Sequence, residues 1–331
     1  MDWLIRAGGN AENISDYDCR GTVPQHGNGK IYLGIWSLVY GITAEFIYAI
    51  VLVVMLRNQH RRMSCYKIMI ILGINDMCAI SLNSILSGYL WLIGANYCTN
   101  PNLIFVTGSI ALGLWCCACM NCLVLVINRL LDLWSKIAMQ RLFKGNRTYC
   151  VLLIPFLYML YFTFFTPPLI FNSDRMAWFF ATFADGHDSE KFLNYPHTAN
   201  NLLIVVLTCL LYVPYSRILL RHSRASTGLS WAQKSFFLQT SLIGMANLIA
   251  ALIYVYMNFF STPSYFVVIG HICWQLGHGF PAFVYLFLNR TIHREAFAFL
   301  KSCRKPNSLR PLGLTASSRL PHHNETLFVH L

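Results

Sequence analysis

Seven apolar runs constrain this chain more than any other feature, spanning about 31–56, 67–92, 102–131, 149–171, 199–220, 235–259 and 263–288. Each approaches or exceeds the roughly 20 residues that carry an α-helix across a bilayer. A membrane strand needs only about ten residues, and the in–out alternation of a barrel is absent. The expected fold class is therefore an all-α membrane protein, a seven-transmembrane helix bundle with a short amphipathic helix after the seventh run. Composition points the same way. The 331 residues are 56% hydrophobic and only 11% charged, whereas soluble domains carry roughly 25% charged residues.

The runs divide the chain into an N-terminal segment (1–30), the bundle (31–288), a helix (289–305) and a tail (306–331) whose composition is that of a disordered segment. The first segment carries Asp2, Glu12, Asp16 and Asp18, not the basic stretch that opens a cleaved signal peptide, so the first run should act as the insertion signal. Orientation follows from Lys and Arg. The polar segments 1–30, 93–101, 172–198 and 260–262 hold five, while 57–67, 129–148, 217–234 and 289–331 hold twenty. Positive residues collect on the cytoplasmic side, which places the N-terminus outside and the C-terminus inside a multi-pass plasma-membrane protein. The net charge of +12 is then a topology signal, and nucleic acid is not an expected partner.

After the seventh run, Ile292, Ala296, Phe299, Leu300 and Cys303 fall on one helix face among Arg294, Lys301, Arg304 and Lys305. That pattern describes a helix resting on the inner membrane surface, with lipid as its partner and Cys303 open to palmitoylation. Ten of the twelve cysteines lie in the runs or on the inner side, where thiols stay reduced. Cys19 and Cys98 lie outside and are expected to pair, the alternative being two thiols that stay free or are capped separately. The sequon at Asn13 is also outside and open to glycosylation, whereas those at Asn146, Asn289 and Asn324 face the cytoplasm.

Two carboxylates, Glu45 and Asp76, lie well inside the runs. A charge at the bilayer centre costs at least about 2.5–3.5 kcal/mol and calls for a partner or a role. Asp76 sits ten residues in from Tyr66, about 15 Å deep at 1.5 Å per residue. Asn83 shares its helix face at a spacing of seven, Asn121 and Asn128 are likewise seven apart in the third run, and Asn247 lies mid-way along the sixth. Asp76, Asn83 and Asn121 are expected to form an internal polar network with water or a sodium ion; the alternative is a protonated Asp76 bonded to a neighbouring helix. Glu45 receives no role. Arg129 closes the third run on the basic side, where it serves topology by snorkelling or serves a partner. Pro281 should kink the seventh run, with Tyr285 one turn further on. His271 and His278 are seven apart on that run but lack a third ligand of suitable spacing, so no metal site is expected. No nucleotide loop, nucleophile elbow or catalytic carboxylate pair occurs, and neither an enzyme nor a cofactor is expected.

Several short pieces occur in order on the corresponding runs and loops: Tyr66-Lys67-Ile68-Met69 with Leu72-Gly73-Ile74-Asn75-Asp76, then Gly94 and Tyr97-Cys98 before Pro101, Asn128-Arg129, Leu142-Phe143-Lys144-Gly145, Trp178-Phe179-Phe180, and His278-Gly279-Phe280-Pro281-Ala282 with Tyr285-Leu286 and Asn289. On these residues the chain resembles G-protein-coupled receptors over roughly 15–300, and more narrowly the nematode serpentine chemoreceptors of class T. The resemblance implies an olfactory-type receptor in sensory cilia that signals to a heterotrimeric G protein. It gives Asn128 and Arg129 the G-protein-facing position, and Pro281 with Tyr285 the switch of the seventh helix. The chain departs from common rhodopsin-like patterns at several points. Asn128 replaces an acidic residue, leaving Asp132 to hold Arg129, and Phe280 stands where an Asn precedes the proline. The tyrosine follows that proline by four residues instead of three. The second outer loop has no Cys, and the sixth run has no Pro.

The seventh run contains no Lys for a retinal Schiff base, and the third has no acid ahead of Asp132 to face an amine. The outer halves instead carry Trp115, Tyr254, Tyr256, His271 and Trp274. Of these, Trp115, Tyr254, His271 and Trp274 are the candidate pocket for a small neutral, odorant-like ligand, since such sites are mostly apolar with a few placed polar groups. The competing class is a seven-helix channel or carrier. An inverted channel would place the N-terminus inside, against the charge count, and a carrier would show internal repeats, of which this chain has none.

Overall fold

Seven helices long and apolar enough to span a membrane run through the computed structural model, which describes residues 1–19, 27–183, 192–224, 231–260 and 262–303. A short helix, α1 (Asp2–Arg6), precedes the first span, α2 (Ile31–Met55). One turn, α3 (Asn58–Arg61), leads into the second span, made of α4 (Ser64–Ile80), a π-helical turn (Ser81–Leu86) and α5 (Ser87–Leu92). The third span is α6 (Pro101–Trp134), followed by α7 (Lys136–Phe143) on the inner side and the fourth span, α8 (Arg147–Phe165). A hairpin of β1 (Ile170–Asn172) and β2 (Ala177–Phe179) sets Phe171 opposite Trp178. The last three spans are α9 (Tyr195–Arg224), α10 (Trp231–Phe259) and α11 (Ser264–Leu288), and α12 (Arg290–Cys303) follows them.

The long α6 is the central post. Its apolar window is 83% buried, against 17% for α9, so α9 turns most of its surface to lipid. Asn100 caps its N-terminus by accepting from the Leu103 amide, with Pro101 in the first turn, the arrangement that leaves fewest orphan N–H groups there. Close packing on one side depends on Gly108, where a Cβ would collide with the Leu169 carbonyl oxygen. Bundles in lipid pack through small residues because burial offers little drive between helices already surrounded by hydrocarbon. The fourth span ends at Phe165, short of the apolar run, because Pro167 and Pro168 cannot continue a helix. Ile170 and Phe171, apolar and assigned to that run by hydropathy, instead form β1 with Asn172.

On the outer side, Cys19 and Cys98 form a disulfide. The N-terminal segment beside it is packed down, with Tyr17 edge-on to Phe105 at 5.1 Å and to Phe192 at 5.0 Å. The Tyr97 hydroxyl donates to the Tyr17 carbonyl at 2.9 Å. Asn13 is exposed, its Nδ2 donating to the Ala7 carbonyl at 3.1 Å. A link across a separation of 79 residues restricts the unfolded chain by about 4.5 kcal/mol in the loop-entropy account. Cys19→Ser and Cys98→Ser should therefore lower surface expression equally, and the double variant should be no worse. Additive losses in flow cytometry would mean that the two residues act separately.

On the inner side, α12 is seated on the bundle. Ile292 and Ala296 are fully buried. Glu295 accepts from Arg57 at 2.8 Å and Gln59 at 2.7 Å, and lies 3.1 Å from His60 Nε2. Phe297 and Leu300 stay exposed on the same helix, a surface available to lipid. Cys303 ends the helix, and its side chain and the segment 304–331 lie outside the described residues.

Candidate functional site

A cavity of about 310 Å³ opens among the outer ends of α6, α9, α10 and α11. Trp115 and Leu112 from α6, Tyr254 from α10 and Trp274 from α11 form its walls, with Phe179, Phe180 and Phe183 of the outer loop as its roof. The hairpin is held without a disulfide to α6. Trp178 Nε1 donates to Ser87 Oγ at 2.8 Å, and Asp174 accepts from Asn96 Nδ2 at 2.9 Å and from the Asn28 amide at 3.0 Å. Three of the four residues expected in the pocket thus meet at one cavity. His271 does not. Its Nε2 lies 3.0 Å from the Asn83 carbonyl and its ring 4.7 Å from that of Trp91, on the side of α11 that faces the second span.

The walls and roof also include residues not expected from the sequence, and among them His197 carries the polar chemistry. His197 sits two residues ahead of the apolar run, but the helix begins earlier, at Tyr195, because Asn194 Oδ1 accepts from the His197 amide at 2.9 Å. His197, Asn200 and Asn201 share one face of α9 at helical spacing, and that polar stripe was the available signal. Asn201 Oδ1 accepts from Trp115 Nε1 and from Asn200 Nδ2, both at 3.0 Å, while Asn201 Nδ2 lies 3.2 Å from His197 Nε2. Tyr158 of α8 donates to Asn200 Oδ1 at 3.1 Å, so the stripe joins three spans.

Beneath the cavity floor, Asp76 is 1% exposed and His278 is fully enclosed. His278 Nδ1 is 2.8 Å from one Asp76 oxygen, and the Tyr48 hydroxyl donates to the other at 2.8 Å. The buried carboxylate therefore draws its partners from the first and seventh spans. Asn83 and Asn121 lie elsewhere. The Asn83 side chain makes no hydrogen bond among the described residues, and Asn121 Nδ2 contacts Cys117 Sγ, on its own helix, at 3.3 Å. The π-helical turn is one reason. It inserts an extra residue between Asp76 and the following helix, so the spacing of seven no longer marks a common face. Asn83 contributes through its carbonyl, which accepts from Gln275 Nε2 at 2.9 Å. Glu45 gains a partner as well, Ser81 Oγ at 3.0 Å. Among the described residues no three His, Cys, Asp or Glu side chains group as metal ligands.

Trp115 touches both levels. It lines the cavity, and its ring lies edge-on to His278 at 5.9 Å. At the inner end of α6, Arg129 is only 8% exposed. Its Nη2 and Nε both donate to Asn128 Oδ1, at 2.6 and 3.2 Å, and Nη1 lies 3.6 Å from Asp132. The guanidinium also sits 5.2 Å from the Phe236 ring of α10. Asn128 Nδ2 donates to Ser64 Oγ of α4 at 2.9 Å. An amide oxygen thus occupies the place of the missing carboxylate. Pro281 lies inside α11, and Tyr285 one turn below it is buried, its hydroxyl without a partner among the described residues.

Three comparisons bear on this arrangement. A family model described as "Serpentine type 7TM GPCR chemoreceptor Srt" matches residues 8–308. The serpentine receptor class T-55 of Caenorhabditis elegans is 28% identical over 310 residues, covering 89% of this chain and 83% of that protein. The crystal structure of squid rhodopsin aligns with a TM-score of 0.62 at 13% identity, over 84% of this chain and 87% of that one. At that identity the likeness is one of fold.

Proposed function

Because the chain belongs to the serpentine type 7TM GPCR chemoreceptor Srt family, we propose that it binds a small neutral, odorant-like molecule in its outer cavity and activates a heterotrimeric G protein at its inner face. The observation that carries this reading is the cavity itself. It is of ligand size, roofed by aromatic residues, and without a Lys, Arg, Asp or Glu among its described lining residues. Pockets of that kind hold small apolar molecules and orient them with a few polar groups. Trp115, Tyr254 and Trp274 provide the contact surface. Trp115 passes the effect of occupancy to His278 and Asp76, since it touches the first and bounds the cavity. Arg129, held by Asn128, presents the charge that a docked partner helix meets, while Pro281 and Tyr285 form the part of α11 that moves. The family membership supports placement in the plasma membrane of a sensory cilium.

Filling the cavity tests the reading. In cells expressing the receptor with a second-messenger reporter, a volatile that activates the parent should lose about 100-fold in potency on Leu112→Trp at matched surface level. The indole would occupy space that the ligand needs, and about 2.7 kcal/mol of lost binding gives that factor. Activation should require guanine nucleotide in isolated membranes. An unchanged response in the filled variant, or a ligand-evoked current in membranes stripped of G protein, would overturn the proposal.

A further inference from the structure

The inner side of the bundle holds a cavity of a different chemistry. It measures about 410 Å³, lies at the inner ends of α4 and α8, and is lined by Asn58, Arg61, Arg62, Lys67, Asn146 and Tyr149. The single turn of α3 leads the chain straight into α4, so Arg61 and Arg62 stand just ahead of Lys67 in that helix. Both arginines are exposed, whereas Lys67 is only 9% exposed. Lys67 Nζ donates to the Gly145 carbonyl at 2.8 Å and lies 4.8 Å from the centre of the Tyr149 ring, which ties the turn before α8 to α4. An ammonium has three donors and a full charge, and a carbonyl and a ring face bring no net negative charge to meet it.

No carboxylate is among the described residues that line this cavity. On the inner side the sequence offers only Asp132, Glu295 and Glu325. Asp132 lies 3.6 Å from Arg129, Glu295 is paired with Arg57 and His60, and Glu325 lies outside the described residues. Among the described residues, then, none of the three cations of the cavity is in a salt bridge. Topology gathers positive residues on this side, but it does not require three in one concavity with a lysine nearly buried. The wall also continues into the membrane. Tyr149 opens an exposed ridge of α8, followed at intervals of four by Leu153, Leu157 and Tyr161. We infer that the cavity binds the phosphate headgroup of an anionic lipid of the inner leaflet, whose acyl chains lie along that ridge. Basic pockets between spans on the cytoplasmic side suit such headgroups, and a soluble phosphate would leave the apolar ridge unused. No residue of α12 lines the cavity, so the site is separate from the lipid contact of that helix.

The test uses native mass spectrometry of the full-length chain with phosphatidylinositol 4-phosphate, phosphatidylcholine or inositol 1,4-bisphosphate. One copy of the anionic lipid should be retained at least about tenfold more tightly than phosphatidylcholine, given three cations at the membrane surface. Arg61→Gln combined with Arg62→Gln should weaken that binding about 25-fold, at about fivefold for each charge removed, and Lys67→Gln should weaken it further. The exposed arginine pair carries the test if Lys67→Gln fails to fold. Lys136→Gln combined with Lys144→Gln removes the same charge from inner residues that do not line the cavity, and should leave binding nearly unchanged. An equal loss in that control would show diffuse attraction and overturn the site. Phosphatidylcholine retained as well as the anionic lipid would overturn the headgroup preference, and inositol bisphosphate bound as tightly as the lipid would overturn the assignment to a membrane lipid.

Discussion

Arg129→Lys is expected to reach the cell surface and bind ligand as the parent does, while losing about 10- to 100-fold in G-protein activation. Placement alone would tolerate the change, because a lysine at the inner end of α6 satisfies the same charge rule. Coupling would not. The arginine side chain spreads a planar fork of donors, of which Nε and Nη2 both engage Asn128 Oδ1 while Nη1 faces Asp132. A lysine ammonium is a point charge that cannot reproduce that fork or present the remaining N–H groups to carbonyls of a docked helix. One charge-assisted bond, at about 1.5–3 kcal/mol, gives the stated loss. The hold is made by a neutral amide and by an Asp132 side chain that is 46% exposed, so the parent should show measurable basal activity, and Asn128→Asp should reduce it. Normal nucleotide exchange by Arg129→Lys at matched surface expression would refute the role.

His278→Leu is expected to cost about 3–5 kcal/mol of stability, the penalty for stripping a buried carboxylate of its partner. Asp76 is nearly inaccessible and also accepts from the Tyr48 hydroxyl. The single variant should therefore be largely retained inside the cell, with a sharply lowered unfolding temperature for the fraction that is made. Asp76→Asn combined with His278→Leu should recover most of the loss, because a neutral amide no longer needs the imidazole. Such a cycle isolates the pair from everything else each residue touches. A double variant less stable than His278→Leu alone would show that the two residues act independently.

Much of this architecture is legible in one dimension. The seven spans, the outward N-terminus and the helix after the seventh span follow from apolar length and the distribution of Lys and Arg, because lipid excludes charge along the whole chain and the exclusion leaves its mark residue by residue. The pairing of Cys19 with Cys98 follows from the same topology, since two cysteines share the oxidising side. The depth of Trp115, Tyr254 and Trp274 follows from counting along each helix. Even the end of the fourth span was written in Pro167 and Pro168, though hydropathy overran it.

Partners are another matter. Asp76 meets Tyr48 and His278, residues 28 and 202 positions away in the chain, while the nearer Asn83 turns elsewhere after the π-helical turn. His197 joins Trp115 through Asn201, and Glu295 finds Arg57, Gln59 and His60 at the far end of the bundle. Spacing along a helix determines how deep a residue lies and which face it shares. It carries no information about how each helix is rotated or which neighbour stands beside it. Those depend on the packing of all seven spans at once, through close contacts such as that of Gly108 with the Leu169 carbonyl. The sequence by itself therefore determined the spans, their direction and the aromatic character of the outer helix halves, whereas only the tertiary structure decided which polar groups are paired with which.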